Sequence, residues 1–218
     1  MGAGLHHAVR RLANGWSLRS VAIELEGGGL CVFSPTAGLS PEGLPDRVEL
    51  LLAPNHYHWL GVGEWRAAFP DAGVIAGDVA RPRLADKLGA APLDLGALRA
   101  RLPARVTVLE PAGTANGEVW LEVEDGARTW VVCDAFFNEP AHPTGLFGLG
   151  ARVTGTTAGL RLGQTWKYVA LGDRAAYKAW TLDRLASAPP ARVVMSHGDV
   201  LEGDGVAERL AALVRARL

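Results

Sequence analysis

A succession of short apolar runs, each of strand length and each closed by Gly, Pro or Asp, constrains this chain more than any other feature. They are VAIEL (21–25), LCVFS (30–34), VELLLA (48–53), GVIAG (73–77), VTVLE (106–110), VWLEVE (119–124) and TWVVCD (129–134). Glu26-Gly27-Gly28-Gly29 separates the first two runs, and Glu124-Asp125-Gly126-Ala127-Arg128 separates the last two. Glycine supplies the positive φ that a tight reversal needs, so both pairs are predicted to be antiparallel hairpins. Helical patterns lie between and after these strands. Ser40-Pro41-Glu42 reads as a capped start and Gly63–Phe69 as a short amphipathic helix ending at Pro70. Asp173 precedes a longer helix over Arg174–Ser187 with Ala175, Ala179, Leu182 and Ala186 on one face. Asp204 precedes a C-terminal helix that gathers Val206, Leu210, Leu213 and Val214. Between these two helices lies the strand ARVVM, followed by Ser196-His197-Gly198-Asp199. Mixed strands and helices without an internal repeat predict a layered α/β fold, with residues 1–218 as one domain and the Gly-, Pro- and Thr-rich stretch 139–165 as one long loop.

Composition narrows the function classes. The 218 residues carry 22 basic and 23 acidic side chains, so there is no basic surplus to neutralise phosphates or anionic lipid, and neither a nucleic acid nor a membrane is expected as a partner. No run nears the roughly 18 apolar residues of a membrane span, and MGAGLHHAVRRLANGWSLRS lacks the apolar stretch of a secretory signal; a cytoplasmic location is the expectation. Cys31 and Cys133 each sit in an apolar run, which favours buried free thiols over a disulfide or a thiolate role. There is no G-x-S-x-G elbow, no phosphate-binding P-loop and no dinucleotide fingerprint. Ser196 and His197 are adjacent after a strand and point apart, so they are no nucleophile–base pair.

What remains are polar, metal-capable residues placed directly after apolar strands. His56-Tyr57-His58 follows VELLLAPN, Asp134 follows TWVVC and His197 follows RVVMS. Alternate side chains project to one side of an extended backbone, so an H-x-H pair can place both imidazoles on one ion. Taken singly, each has a plainer explanation as turn chemistry; the ordered set of pair, carboxylate and histidine, each at a strand end, is what points to a site.

With those residues in view, the chain resembles the metallo-β-lactamase superfamily over nearly its whole length. LLAPNHYHWLGVGEW looks like its first motif, EPAGTANGEVWL its second, VVCDAFF its third and VVMSHGD its last. More narrowly, GGGLCVFSP, APNHYHWLGVGEWRAAFPDAGVIAGD, CDAFFN and SHGDVLEGDG are similar to a branch of that superfamily, a domain of unknown function with a reduced metal motif. The resemblance implies a four-layer αββα sandwich. It also implies His56, His58, Asp134 and His197 as metal ligands, with Asp134 and His197 as the catalytic pair.

Three family ligand positions depart from the pattern: Leu60 stands in place of an Asp, Gly61 in place of a His, and Gly113 in place of the His of the second motif. A full dinuclear hydrolase site is therefore not expected. Three states stay open: one zinc or iron ion with a free position, one structural ion closed by His197, or a site with no metal. The functional reading is a mononuclear metal-dependent hydrolase of a small molecule. Its alternative is a non-catalytic binding module, and an iron-dependent oxidoreductase ranks behind both. Asn55 and Asn138 are candidates to orient ligands, Tyr57, Trp59, Trp65, Phe136 and Phe137 to wall a pocket, and Glu64 to replace a ligand or act as a base.

Overall fold

In the apolar runs both parities of side chain are apolar, so both faces of each strand must be covered. The computed structural model, which describes residues 4–39, 47–142, 144–145, 158–164 and 166–218, shows how. The first half forms β1 (Leu5–Arg11), β2 (Ser17–Glu24), β3 (Leu30–Phe33), β4 (Val48–Leu52), α1 (Val62–Ala68), β5 (Gly73–Ile75), α2 (Arg81–Leu88) and α3 (Leu95–Arg99). There follow β6 (Val106–Leu109), β7 (Trp120–Asp125), β8 (Ala127–Val132), β9 (Phe136–Glu139), β10 (Gly159–Leu162) and a π-helical turn at Trp166–Ala170. The chain ends with α4 (Arg174–Ser187), β11 (Arg192–Met195), β12 (Leu201–Glu202) and α5 (Val206–Arg217).

One sheet runs β1-β2-β3-β4-β5 and the other β12-β11-β8-β7-β6, with β9 and β10 as a separate antiparallel pair. Three apolar clusters follow the period of two. Val21, Ile23, Cys31, Phe33, Leu50 and Leu52 of the first sheet meet Val106, Leu121, Val123, Val131 and Val194 of the second between the sheets. The alternate residues Ala22, Leu30, Val32 and Leu51 face outward onto Val62 and Trp65 of α1 and Leu84 of α2. On the far side, Trp120, Trp130, Val132, Val193 and Met195 pack under Tyr177 and Leu185 of α4 and Leu210 and Val214 of α5. This is the αββα sandwich that the resemblance implies.

Both predicted hairpins are present, β2 with β3 and β7 with β8. Asp173 caps α4 by accepting from Ala176 N at 2.9 Å. Its buried face, however, is Tyr177, Thr181 and Leu185 rather than the predicted alanines, because the Tyr177 ring wedges against Trp166 and Trp120. The N-cap of α5 is Gly205 at φ 70°, and Asp204 makes no capping bond there. The predicted loop 139–165 contains β10, held in register against β9 from Leu162↔Phe136 to Gly159↔Glu139. β1, α2, α3, β9, β12 and the π-helical turn are also additional to the predicted elements, and the start predicted at Ser40-Pro41-Glu42 lies outside the described residues. No helix among the described residues is long and apolar enough to cross a membrane.

Trp130 is fully buried, packs with its ring 5.5 Å from that of Trp120 and tilted 38° to it, and donates its Nε1–H to Glu122 at 2.9 Å. Trp130→Ala should lower unfolding free energy by about 3–5 kcal/mol; urea denaturation with a loss below about 1 kcal/mol would show that the outer cluster collapses onto the void.

Candidate metal centre

The register of the second sheet builds the site. β11 runs parallel to β8 and pairs Met195 with Val132. Asp134 and His197 each lie two residues beyond that pair, so they leave the sheet side by side at its carboxyl end. The third donor comes from the first sheet, where the chain turns after β4. There Asn55 Oδ1 accepts from Tyr57 N at 2.8 Å and His58 N at 3.2 Å, an Asx turn that swings His58 toward the second sheet.

His58 Nε2 lies 3.0 Å from Asp134 Oδ1, His197 Nε2 lies 3.1 Å from the same oxygen, and the two ring nitrogens are 3.3 Å apart. The three donors all fall within 4.8 Å of one another. Asn55 Nδ2 donates to Asp134 Oδ2 at 2.8 Å, and Ser34 Oγ sits 2.8 Å from His58 Nδ1. Phe137 stacks on His197 with ring centroids 4.4 Å apart and planes within 7°. A cavity of about 290 Å³ opens onto the triad, walled by Trp16, Tyr57, Phe137, Trp166, Arg161 and Gln164.

His56 does not join the group. Its Nε2 bonds to Val79 O at 3.0 Å. The expectation that His56 and His58 share one ion assumed an extended backbone, and the Asx turn at Asn55 removes the alternation on which it rests. The departures at the other family positions run deeper than lost side chains. A Cβ on Gly61 would lie 2.3 Å from Pro35 O and 2.5 Å from Ala37 N; one on Gly113, at φ +79°, would lie 2.2 Å from Asp173 O. Backbone occupies the space where donors would have to stand, and Leu60 is 70% exposed.

Of the other weighed residues, Tyr57 and Phe137 line the cavity. Phe136 is core, and Trp65, on the buried face of α1, belongs to the cluster beneath that helix and donates its Nε1–H to Thr36 O at 3.0 Å. Trp59 packs at the edge of that cluster, Glu64 accepts from Gly38 N at 2.6 Å, and Asn138 Nδ2 donates to Asp199 O at 3.2 Å. Both cysteines are buried and free; burial pushes Cys31 up to about 12 and Cys133 well above the ordinary thiol value, so neither is a thiolate near neutral pH. The sequence reading missed Ser34, Trp16, Arg161, Trp166 and Glu118. The one signal for Glu118 was an acid placed directly before the apolar run Val119-Trp120-Leu121.

Electrostatically, burial works against charge on Asp134, His58 and Glu118. Burial raises the Asp134 carboxyl, but the His58 charge and the hydrogen bonds from His197 and His58 outweigh it and hold the group well below the usual carboxylate range. Burial likewise pulls His58 down, and its attraction to Asp134 prevails and raises it. Glu118, 2% exposed, accepts from Trp120 Nε1 at 2.8 Å and Ala135 N at 3.1 Å. Burial, with the Asp134 charge beside it, pushes Glu118 from 4.5 to about 7.

The donor set fits a metal ion. Four donors in a tetrahedron around zinc at about 2.0–2.1 Å stand about 3.3 Å apart, close to the triangle of 3.0, 3.1 and 3.3 Å here. Two imidazole nitrogens that face each other as bare lone pairs repel, so this arrangement requires either a cation among them or a proton on one.

No protein-family model matches the chain, and no curated protein matches it. Solved structures do. The chain is similar over 100% of its length and 97% of theirs to a metallo-β-lactamase from Pontibacter korlensis, at 12% identity and a TM-score of 0.63. Against the metallo-β-lactamase FIM-1 from Pseudomonas aeruginosa in its mono-zinc form the identity is 14% and the TM-score 0.60, over 99% of this chain and 93% of that one. The metal-soaked Flv1 flavodiiron core from Synechocystis sp. PCC6803 matches 99% of this chain but 60% of its own, at 13% identity and a TM-score of 0.65. The chain therefore has the metallo-β-lactamase fold.

Glu118 holds its proton to about pH 7 in the folded chain against 4.5 at its ordinary value, so the folded state binds more protons across that window and loses stability as pH rises through it. Glu118→Gln removes this slope. Urea denaturation at a series of pH values should show the variant gaining on the wild type from about pH 5 to about pH 8; parallel profiles would mean that Glu118 ionises normally.

Proposed function

We propose that this chain is a metal-dependent hydrolase that binds one zinc or iron ion at His58, Asp134 and His197 and acts on a small molecule seated in the adjoining cavity. The observation that carries the reading is the convergence of three N/O donors, from two sheets, at the wall of a cavity of about 290 Å³. Such an ion, when bound, supplies Lewis acidity.

The chain's own groups do the rest. Asn55 turns Asp134 so that Oδ1 faces the two imidazoles while Oδ2 is occupied. Trp16, Phe137 and Trp166 exclude water from one side of a substrate, and Tyr57, Gln164 and Arg161 offer polar atoms to orient it. Closure of the spaces at Gly61 and Gly113 supports one ion rather than two. A cavity of about 290 Å³ supports a small molecule over a polymer, and no membrane or nucleic-acid partner is proposed.

A second reading has its own observation. The triangle can satisfy itself without an ion, with a proton on His58 Nε2 donated to Asp134. A chain in that state would be a non-catalytic binding module.

Elemental analysis of tag-free protein separates the two. The hydrolase reading expects about one zinc or iron per chain, lost in His58→Ala and retained in His56→Ala, with turnover of an ester, lactone or phosphodiester that depends on the ion. Metal-free wild-type protein would leave the binding module standing, and metal lost equally in both variants would overturn the ligand set.

A further inference from the structure

Ser34 follows β3 directly and is 1% exposed. Among the described residues it is the one non-glycine residue at positive φ, at 56°, while fourteen glycines take that region. A side chain there costs free energy that glycine avoids. Wherever else the described chain needs this backbone, it uses glycine; here it keeps a serine. The neighbours pin the strained residue from several sides. Its N–H donates to Leu52 O at 3.0 Å, and its carbonyl accepts from Ser20 Oγ at 2.7 Å and from Thr36 Oγ1 at 3.2 Å. None of these bonds uses the Ser34 side chain, so none explains why it is not glycine.

The partner of the hydroxyl belongs to the site: His58 Nδ1 at 2.8 Å. The opposite nitrogen of that ring, Nε2, is the atom turned to Asp134 and His197. A ring that gives Nε2 to an ion carries its proton on Nδ1, and that proton needs an acceptor in a buried place. The parallel pairing of β3 with β4, Phe33 opposite Leu52, brings Ser34 to the same sheet end from which the chain turns to His58.

We infer that Ser34 is a positioning residue of the metal centre: its Oγ accepts the Nδ1–H of His58, sets the ring's tautomer and plane, and so makes Nε2 the ligand atom. This rests on the reading of the triad as a metal site. The left-handed backbone at residue 34 is retained because it aims that hydroxyl.

The test separates backbone strain from ligand positioning. Zinc affinity is measured by competition with a chromophoric chelator, and stability by urea denaturation without metal, for wild type, Ser34→Ala and Ser34→Gly. Ser34→Gly should be more stable than Ser34→Ala, because only glycine takes φ 56° freely. Zinc affinity should nevertheless fall in both variants, by about 10–100-fold, and by similar factors. An affinity that follows stability instead, kept in Ser34→Gly and lost in Ser34→Ala, would reduce Ser34 to a turn residue and overturn the inference while leaving the metal centre intact. Wild-type protein that takes up no zinc would overturn the metal reading and this inference with it.

Discussion

The burial of both faces of the central strands is the constraint on which the rest of the structure depends. Val21 and Ile23 point inward while Ala22 points out, Leu50 and Leu52 inward while Leu51 points out, and Leu121 and Val131 inward while Trp120 and Trp130 point out. Strands packed this way have little room for polar chemistry along their length; Glu122 is tolerated because Trp130 and Arg184 both donate to it. Reactive groups are displaced to the strand ends. At the carboxyl ends of β3, β4, β8 and β11 the chain supplies Ser34, His58, Asp134 and His197, and the parallel pairings β3 with β4 and β8 with β11 keep those ends level. The site is thus a consequence of sheet register before it is a consequence of loop conformation.

The depth of that position sets its electrostatics. A lone ionised Asp134 would be costly there, and the two imidazoles with Asn55 compensate it. Glu118, close behind, has only hydrogen bonds to offset the same burial and holds its proton instead. Two carboxyls in one neighbourhood are therefore driven apart by what each accepts, one held ionised and the other holding its proton up to about pH 7. A cation among the donors and a proton on His58 are competing solutions to one problem, the negative charge on Asp134. The proposed metal centre and the metal-free alternative use the same residues and differ in which solution prevails.

Much of this was legible in the residues. Strand-length runs bounded by Gly, Pro and Asp gave the sheets, and the two glycine-containing reversals gave hairpins that the structure contains. Asp134 and His197 were legible as strand-end groups because strands end sharply where apolar runs meet polar residues. His56 was misread because an H-x-H spacing has meaning only on an extended chain, and the Asx turn that bends this one depends on where Asn55 sits in space. β1 escaped notice because LHHAVRR, an edge strand with most side chains in water, lacks the apolar signal. The buried face of α4 was misplaced because the alanine spacing is equally periodic, and the Tyr177 ring decides the helix rotation through contacts with Trp120 and Trp166. Ser34 was invisible for a different reason: a serine at the end of an apolar run carries no sign of its backbone angle.

The fold alone does not choose a chemistry, since the metallo-β-lactamases and the flavodiiron core stand at similar structural distance from this chain. The choice has to come from the site, and there the decisive features are steric. Gly61 lies against the backbone of Pro35–Ala37, and Gly113 lies against the Asp173 carbonyl. No substitution at either position restores a donor without moving a packed segment, so the narrowing of the site is built into main-chain packing. The segment that blocks Gly61 begins one residue after Ser34, whose hydroxyl holds His58. The same short turn after β3 therefore bars a side chain at residue 61 and holds His58, which ties the closure at Gly61 to the anchoring of that imidazole.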